Sequence, residues 1–140
     1  MDEHTLELLE FAKVRELLAG YAACSLGKEL ARQTEPGTDP ERIRTELALV
    51  TEMAAAWALG QSPPFGGLHD VRLLVRRAAI GSMLTAEQLL EVAETLNCTG
   101  NMYRYRMRLD GQFQRLIGLL APIEDMGLVA KTIKIGRAHV

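Results

Sequence analysis

The sequence predicts an all-α fold, and three observations carry that expectation. Aromatic residues make up only 5% of the chain while 48% of it is hydrophobic, so the core must be built mainly from Leu, Ala, Val and Met, which favour helices over sheet. Two long stretches repeat apolar residues at alternating spacings of four and three, as one face of a helix does. Gly and Pro turn signals separate them. At 140 residues the length bounds one domain of ordinary size.

In chain order, Leu6 and Leu9 predict a short first helix, and a second phase starts at Phe11 and runs through Val14, Leu18 and Tyr21. The phases do not join into one stripe, so a bend is expected near Glu10, with Gly20 as the stop. A third helix is expected from Ser25, carrying Leu26 and Leu30 inward, and Pro36-Gly37 breaks the chain after it. Asp39-Pro40 then opens a long helix over residues 39–59. Asp39 can accept from an orphan backbone N–H, and Pro40 suits the first helical position. Ile43, Leu47, Val50, Ala54 and Trp57 form its apolar seam; Leu49, Met53 and Ala56 widen it, and Gly60 ends it.

Residues 63–72, Pro-Pro-Phe-Gly-Gly-Leu-His-Asp-Val-Arg, are the segment around which the rest is arranged. Two prolines fix φ and remove donors, and two glycines allow close backbone approach. The expectation is a single-conformation turn with Phe65 and Leu68 buried between helices. Val71, Leu74 and Val75 then form a short amphipathic piece beside Arg72, Arg76 and Arg77, closed by Gly81. Thr85 and Gln88 have the spacing of a capping box. From there Leu89, Ala93, Leu96, Gly100, Tyr103 and Met107 keep helical phase, giving a second long helix over residues 85–109. Gly100 costs about 1 kcal/mol of helix propensity, which fits a close helix crossing. A last amphipathic helix carries Phe113, Leu116, Ile117 and Leu120 and ends by Pro122.

Chemistry is sparse. The net charge of −2 excludes a domain-wide electrostatic footprint for nucleic acid. Cys24 and Cys98 have no metal-ligand spacing and read as free thiols of a reducing cytoplasm. No apolar run approaches a membrane span, and the polar start Met1-Asp2-Glu3-His4 is not that of a signal peptide. There is no phosphate loop, HExxH, CxxC or Gly-x-Ser-x-Gly. His69-Asp70 invites an acid–base reading, but helix neighbours do not face each other, and Asp70 suits a cap for the following helix. Arg104, Arg106 and Arg108, interleaved with Tyr103 and Tyr105, are the best nucleic-acid candidates. The preferred reading puts Tyr103 and Met107 in the core and leaves the arginines solvated. Cys98 reads as a small buried hydrophobe.

Several segments together resemble the N-terminus of the second MutS type, a bacterial MutS-like family lacking the mismatch-recognition and connector domains. They are Leu8-Leu9-Glu10-Phe11-Ala12-Lys13-Val14 with Leu17-Leu18-Ala19, Ser25-Leu26-Gly27-Lys28-Glu29-Leu30, and Pro64-Phe65-Gly66-Gly67-Leu68-His69-Asp70-Val71-Arg72. Arg77-Ala78, Gly81, Leu84 and Glu87-Gln88-Leu89-Leu90 continue in register. The resemblance implies that residues 1–134 are the N-terminal part of a MutS-type helical core, or lever, domain. It implies a parent ATPase that binds ATP and Mg through a C-terminal domain, dimerises through it, and carries a separate nuclease domain. The family is associated with suppressing homologous recombination and rescuing collided ribosomes, so DNA or the ribosome would be the parent's partner. None of those nucleotide or nuclease motifs occurs in this chain. No catalytic, cofactor-binding or metal residue is therefore assigned, and the piece is expected to be structural rather than an enzyme. Residues 135–140, Ile-Gly-Arg-Ala-His-Val, resemble a translated sequencing adapter, so native sequence is expected to end near Lys134. The rivals are a stand-alone helical interaction module with a polar surface all round, and a small enzyme with His69, Asp70 and an arginine in one pocket. A piece of a larger core should instead expose an orphan apolar face.

Overall fold

The computed structural model describes residues 3–137, and these form eight helices. The chain divides into two compact units, one up to Ala48 and one from Leu49 onward, with the boundary inside a single long helix.

The first unit holds α1 (Glu3–Leu8), α2 (Phe11–Tyr21), α3 (Ser25–Arg32) and the first half of α4 (Pro40–Ala58). The expected bend is Glu10, whose φ of 50° places it in the left-handed region between α1 and α2. The stop expected at Gly20 falls one residue later, at Tyr21. The Cys24 thiol caps α3 by accepting from the Gly27 N–H at 3.4 Å. Asp39 Oδ1 accepts from the Glu41 N–H at 3.0 Å, as expected at the start of α4.

The second unit is organised on α6 (Ala86–Arg108), with α5 (Arg72–Ala79), α7 (Gln114–Leu120), α8 (Gly127–Arg137) and the second half of α4. Both halves of the capping box form. The Thr85 hydroxyl accepts from the Gln88 N–H at 3.3 Å, and Gln88 Oε1 accepts from the Thr85 N–H at 3.0 Å. Tyr103 to Arg108 is helical, so the period-two pattern there does not make a strand.

α6 is buried on two sides, where the sequence reveals only one. Thr95, Cys98, Met102, Tyr105 and Leu109 form a buried stripe, and four of them join Ala56, Phe113, Leu116 and Leu120 in the main core. The face read from sequence is the opposite one. It is fully buried at Ala93 and buried at Gly100, and α8 packs against this helix. Tyr103 is half-buried and Met107 is 66% exposed, which corrects the expectation that both lie in the core. The error has a physical source: α8 lies along α6, and sequence periodicity gave no sign of α8 beyond Pro122. α8 begins where Asp125 Oδ1 accepts from the Gly127 N–H at 2.9 Å, and Ala130 is its fully buried contact. The nearest neighbour at Gly100 is this Asp125, at the start of the helix that packs on α6. A Cβ on Gly100 would lie 2.6 Å from Asp125 Oδ1. Of the tail 135–140, residues 135–137 continue α8, while 138–140, like Met1 and Asp2, lie outside the described residues.

α4 also corrects the reading. Its core contacts in the second unit are Ala56 and Met53, from the secondary set. The seam expected inside is exposed at Leu47, Val50 and Trp57, the last to 64%.

Candidate functional site

The segment 61–70 is laid along α6 and held there by side chains of that helix. The Tyr105 hydroxyl donates to the Gln61 carbonyl at 2.9 Å. The Cys98 thiol donates to the Pro64 carbonyl at 3.6 Å. Thr95 Oγ1 accepts from the His69 N–H at 3.0 Å, and its one proton faces the carbonyls of Gly67 and His69 at 3.5 and 3.4 Å. His69 Nε2 lies 2.6 Å from Glu94 Oε2. Gly67, at φ 78°, permits this approach; a Cβ there would be strained and 3.4 Å from the Glu94 carbonyl. Leu68 packs against the core as expected, but Phe65 is 42% exposed, which corrects its assignment as a buried anchor. With two prolines before it and two glycines after it, Phe65 stands at the outer side of the turn.

His69 and Asp70 do not form a pair. His69 turns to Glu94, while Asp70 accepts from the Arg72 guanidinium at 2.8 and 2.7 Å and from the Arg72 N–H at 3.2 Å. The N-cap of α5 is Val71, which corrects the expectation that Asp70 takes that place; Asp70 stands one residue earlier and accepts from the first N–H of the helix. The hydrogen bonds from the Arg72 guanidinium, then that from its N–H, hold the Asp70 carboxyl down at about 2. Burial raises the Tyr105 phenol above its ordinary value. Among the described residues no three His, Cys, Asp or Glu side chains come together to hold a metal ion. No helix there is long and apolar enough to cross a membrane.

Two of the three arginines marked for nucleic acid are engaged inside the fold. Arg104 donates to Asn101 Oδ1 at 2.8 Å and lies 3.5 Å from Asp125 Oδ2. Arg106 donates to the carbonyls of Leu120 and Ala121 at 3.2 and 2.6 Å, closing the C-terminus of α7, and its guanidinium stands 4.8 Å from the Tyr103 ring centroid. Arg108 is exposed and makes no ion pair or hydrogen bond among the described residues.

The remaining feature is apolar. Leu49, Val50, Met53, Trp57, Leu116 and Leu119 line an open groove between α4 and α7. Glu52 sets its geometry. Its nearly buried carboxylate accepts from the Leu116 N–H at 2.9 Å and from Arg115 at 3.3 Å, tying α4 to the first turn of α7. Thr95, Glu94 and Glu52 are the organising polar groups that sequence reading passed over. Thr95 carried the one usable signal, a hydroxyl in phase with Cys98, Met102 and Tyr105.

No family model matches the chain. Curated proteins do. It is 41% identical over 128 residues, 90% of its length, to "Endonuclease MutS2" of Exiguobacterium sibiricum, and covers 16% of that protein. It is 39% identical over 111 residues to the protein of that name from Symbiobacterium thermophilum, and 38% over 105 residues to that from Acetivibrio thermocellus. The shares are 79% and 75% of this chain, against 14% and 13% of those proteins. The chain is a MutS2 relative. It spans about one-sixth or less of the length of these curated MutS2 proteins. Identity over so much of the chain bears out the resemblance drawn from segments 8–14, 25–30 and 64–72. The all-helical fold agrees with it.

Proposed function

We propose that this chain is the opening part of the helical core, or lever, of a MutS2-type protein, with a mechanical rather than a catalytic role. ATP hydrolysis, Mg binding, homodimer formation and nuclease action would belong to other parts of the parent. That parent would be a cytoplasmic protein acting on DNA or the ribosome, in suppression of recombination or rescue of stalled ribosomes. One observation carries the reading: a chain matched over nine-tenths of its length to proteins some six times longer also exposes an apolar face. Val50 and Trp57 on α4 and Leu128 on α8 are exposed apolar side chains that a polar stand-alone module would not carry. Packed helices suit a mechanical part because their interfaces occupy discrete arrangements.

The test is to recover the complete reading frame, express both the 140-residue chain and the long product, and compare them. Trp57 is the only tryptophan. It should emit as a water-exposed indole in the short chain and shift to the blue in the long one. The long product alone should hydrolyse ATP. An unshifted Trp57, or a reading frame without a nucleotide loop, overturns the proposal.

For direct nucleic-acid contact we propose Arg108, the one of the three whose guanidinium is unengaged. In the long product, Arg108→Ala should weaken DNA binding and reduce the log K against log salt slope by about 0.9, the value of one phosphate contact. An unchanged slope removes Arg108 from the interface.

A further inference from the structure

We propose that residues 61–70 are a latch that makes α5 and α6 move as one body, with Thr95 as its pin. The proposal deepens the mechanical reading above, since a lever transmits displacement only if its helices cannot slide independently.

The latch follows from the direction of the contacts. Going forward along the segment, Gln61 meets Tyr105, Pro64 meets Cys98, Gly67 and His69 meet Thr95, and His69 meets Glu94. The segment therefore runs antiparallel to α6 over its residues 94–105, about 16 Å of helix axis. Except for His69 with Glu94, every one of these hydrogen bonds joins an α6 side chain to the segment's backbone. Sliding α6 by one turn would break all of these contacts together: Thr99 would take the place of Thr95, but Met102 and Leu109 would stand opposite the Pro64 and Gln61 carbonyls and offer them no donor. The far end of the segment is tied to α5. Asp70 binds both the backbone N–H and the guanidinium of Arg72, and Leu74 on α5 is buried. A pull on the segment is thus delivered to the first turn of α5.

Thr95 is the pin because it is the one hydroxyl that serves both sides of the turn, accepting from the His69 N–H and facing two carbonyls. Among the described residues it is also the one buried side chain classed as polar. Gly67 supplies the left-handed backbone that the turn needs. Alanine there would meet the Glu94 carbonyl and would have to hold a φ of 78°.

Hydrogen exchange on the 140-residue chain, read amide by amide by NMR, tests the latch. Thr95→Val keeps the shape and removes the hydroxyl. It should speed exchange at the His69 amide and through α5 by roughly tenfold or more, while amides of α2 and α3 stay unchanged. Thr95→Ser should stay within about twofold of the parent chain. Gly67→Ala should loosen the same amides by strain, and it serves where Thr95→Val does not fold. Unchanged exchange in α5, equal loosening of every amide in the second unit, or Thr95→Ser behaving as Thr95→Val overturns the latch. The outcome is separable from that of the lever reading. A loose latch leaves the MutS2 relationship standing, and a parent without ATP hydrolysis leaves the latch intact.

Discussion

The two units use the same helical vocabulary and hold themselves together differently. In the second, Cys98, Met102, Tyr105, Leu109, Phe113, Leu116 and Leu120 converge with Ala56 into a continuous core. In the first, the buried side chains are Ala19 and Ala31, while Leu8, Leu9, Leu17 and Leu30 are exposed. Two polar links add to those alanines: Glu16 with Arg32 at 2.9 Å, and Arg15 donating to the Thr34 carbonyl just past α3 at 2.7 Å. Amphipathic sequence is thus necessary for a core but not sufficient, because a seam becomes a core only where another seam closes on it. The first unit should accordingly open at lower free energy than the second.

The largest effect expected is at Leu116, 1% exposed at the centre of the second unit. Leu116→Ala should cost about 2–5 kcal/mol in urea unfolding. Leu17→Ala in the first unit, on a side chain 68% exposed, should stay within about 0.5 kcal/mol. Equal costs would erase the contrast between the units. Tyr105→Phe comes next. It removes the bond to the Gln61 carbonyl and should cost about 1 kcal/mol, with the loss concentrated in exchange at residues 61–70. A neutral Tyr105→Phe would show that solvent replaces that bond without penalty.

Gly100→Ala sharpens the account of α6. Alanine adds about 1 kcal/mol of helix propensity, yet its Cβ would displace Asp125, which starts α8 and lies against Arg104. Global stability should therefore change little while α8 amides lose protection. Gained stability with α8 protection intact would mean that Asp125 moves aside freely.

Which parts of this were legible in the sequence follows a physical division. Local chemistry was legible: the Thr85–Gln88 box and the Asp39 cap depend on neighbours within four residues, and the bend at Glu10 and the helical reading of residues 103–108 follow from apolar phase along one continuous stretch of chain. Partnership was not. The α4 seam of Leu47, Val50 and Trp57 is a genuine helix face, but nothing in its spacing says that this half of the molecule leaves it open. α6 was read as one-sided because the stripe through Cys98 and Tyr105 is interrupted by the polar Thr95, whose hydroxyl earns its burial only from the 61–70 backbone. Hydrophobicity alone marks Phe65 as an anchor, but the side chain between the prolines and the glycines stays 42% exposed. The arginines 104 and 106 looked available because their partners, Asp125 and the end of α7, lie up to 21 residues away. The family, by contrast, was legible from short segments in combination.

The smallest effect lies in the acid limb, and it again separates the units. Asp70 is held at about 2 against an ordinary 3.8 by Arg72 in the second unit. Glu16 is held below its ordinary value chiefly by its hydrogen bond with Arg32 in the first. A carboxyl depressed in the folded state favours folding through its charged form. That contribution is complete above the unfolded value and fades as pH falls through the folded one. For Asp70 the loss should therefore fall between 3.8 and about 2. Both carboxyls are open to water, so both contributions should be small and shrink further in salt. Asp70→Asn should flatten the pH dependence of exchange in α5 alone, and Glu16→Gln that in α2 and α3 alone. If either substitution alters the acid response of the other unit, the units do not open independently, and the contrast in their cores loses its consequence.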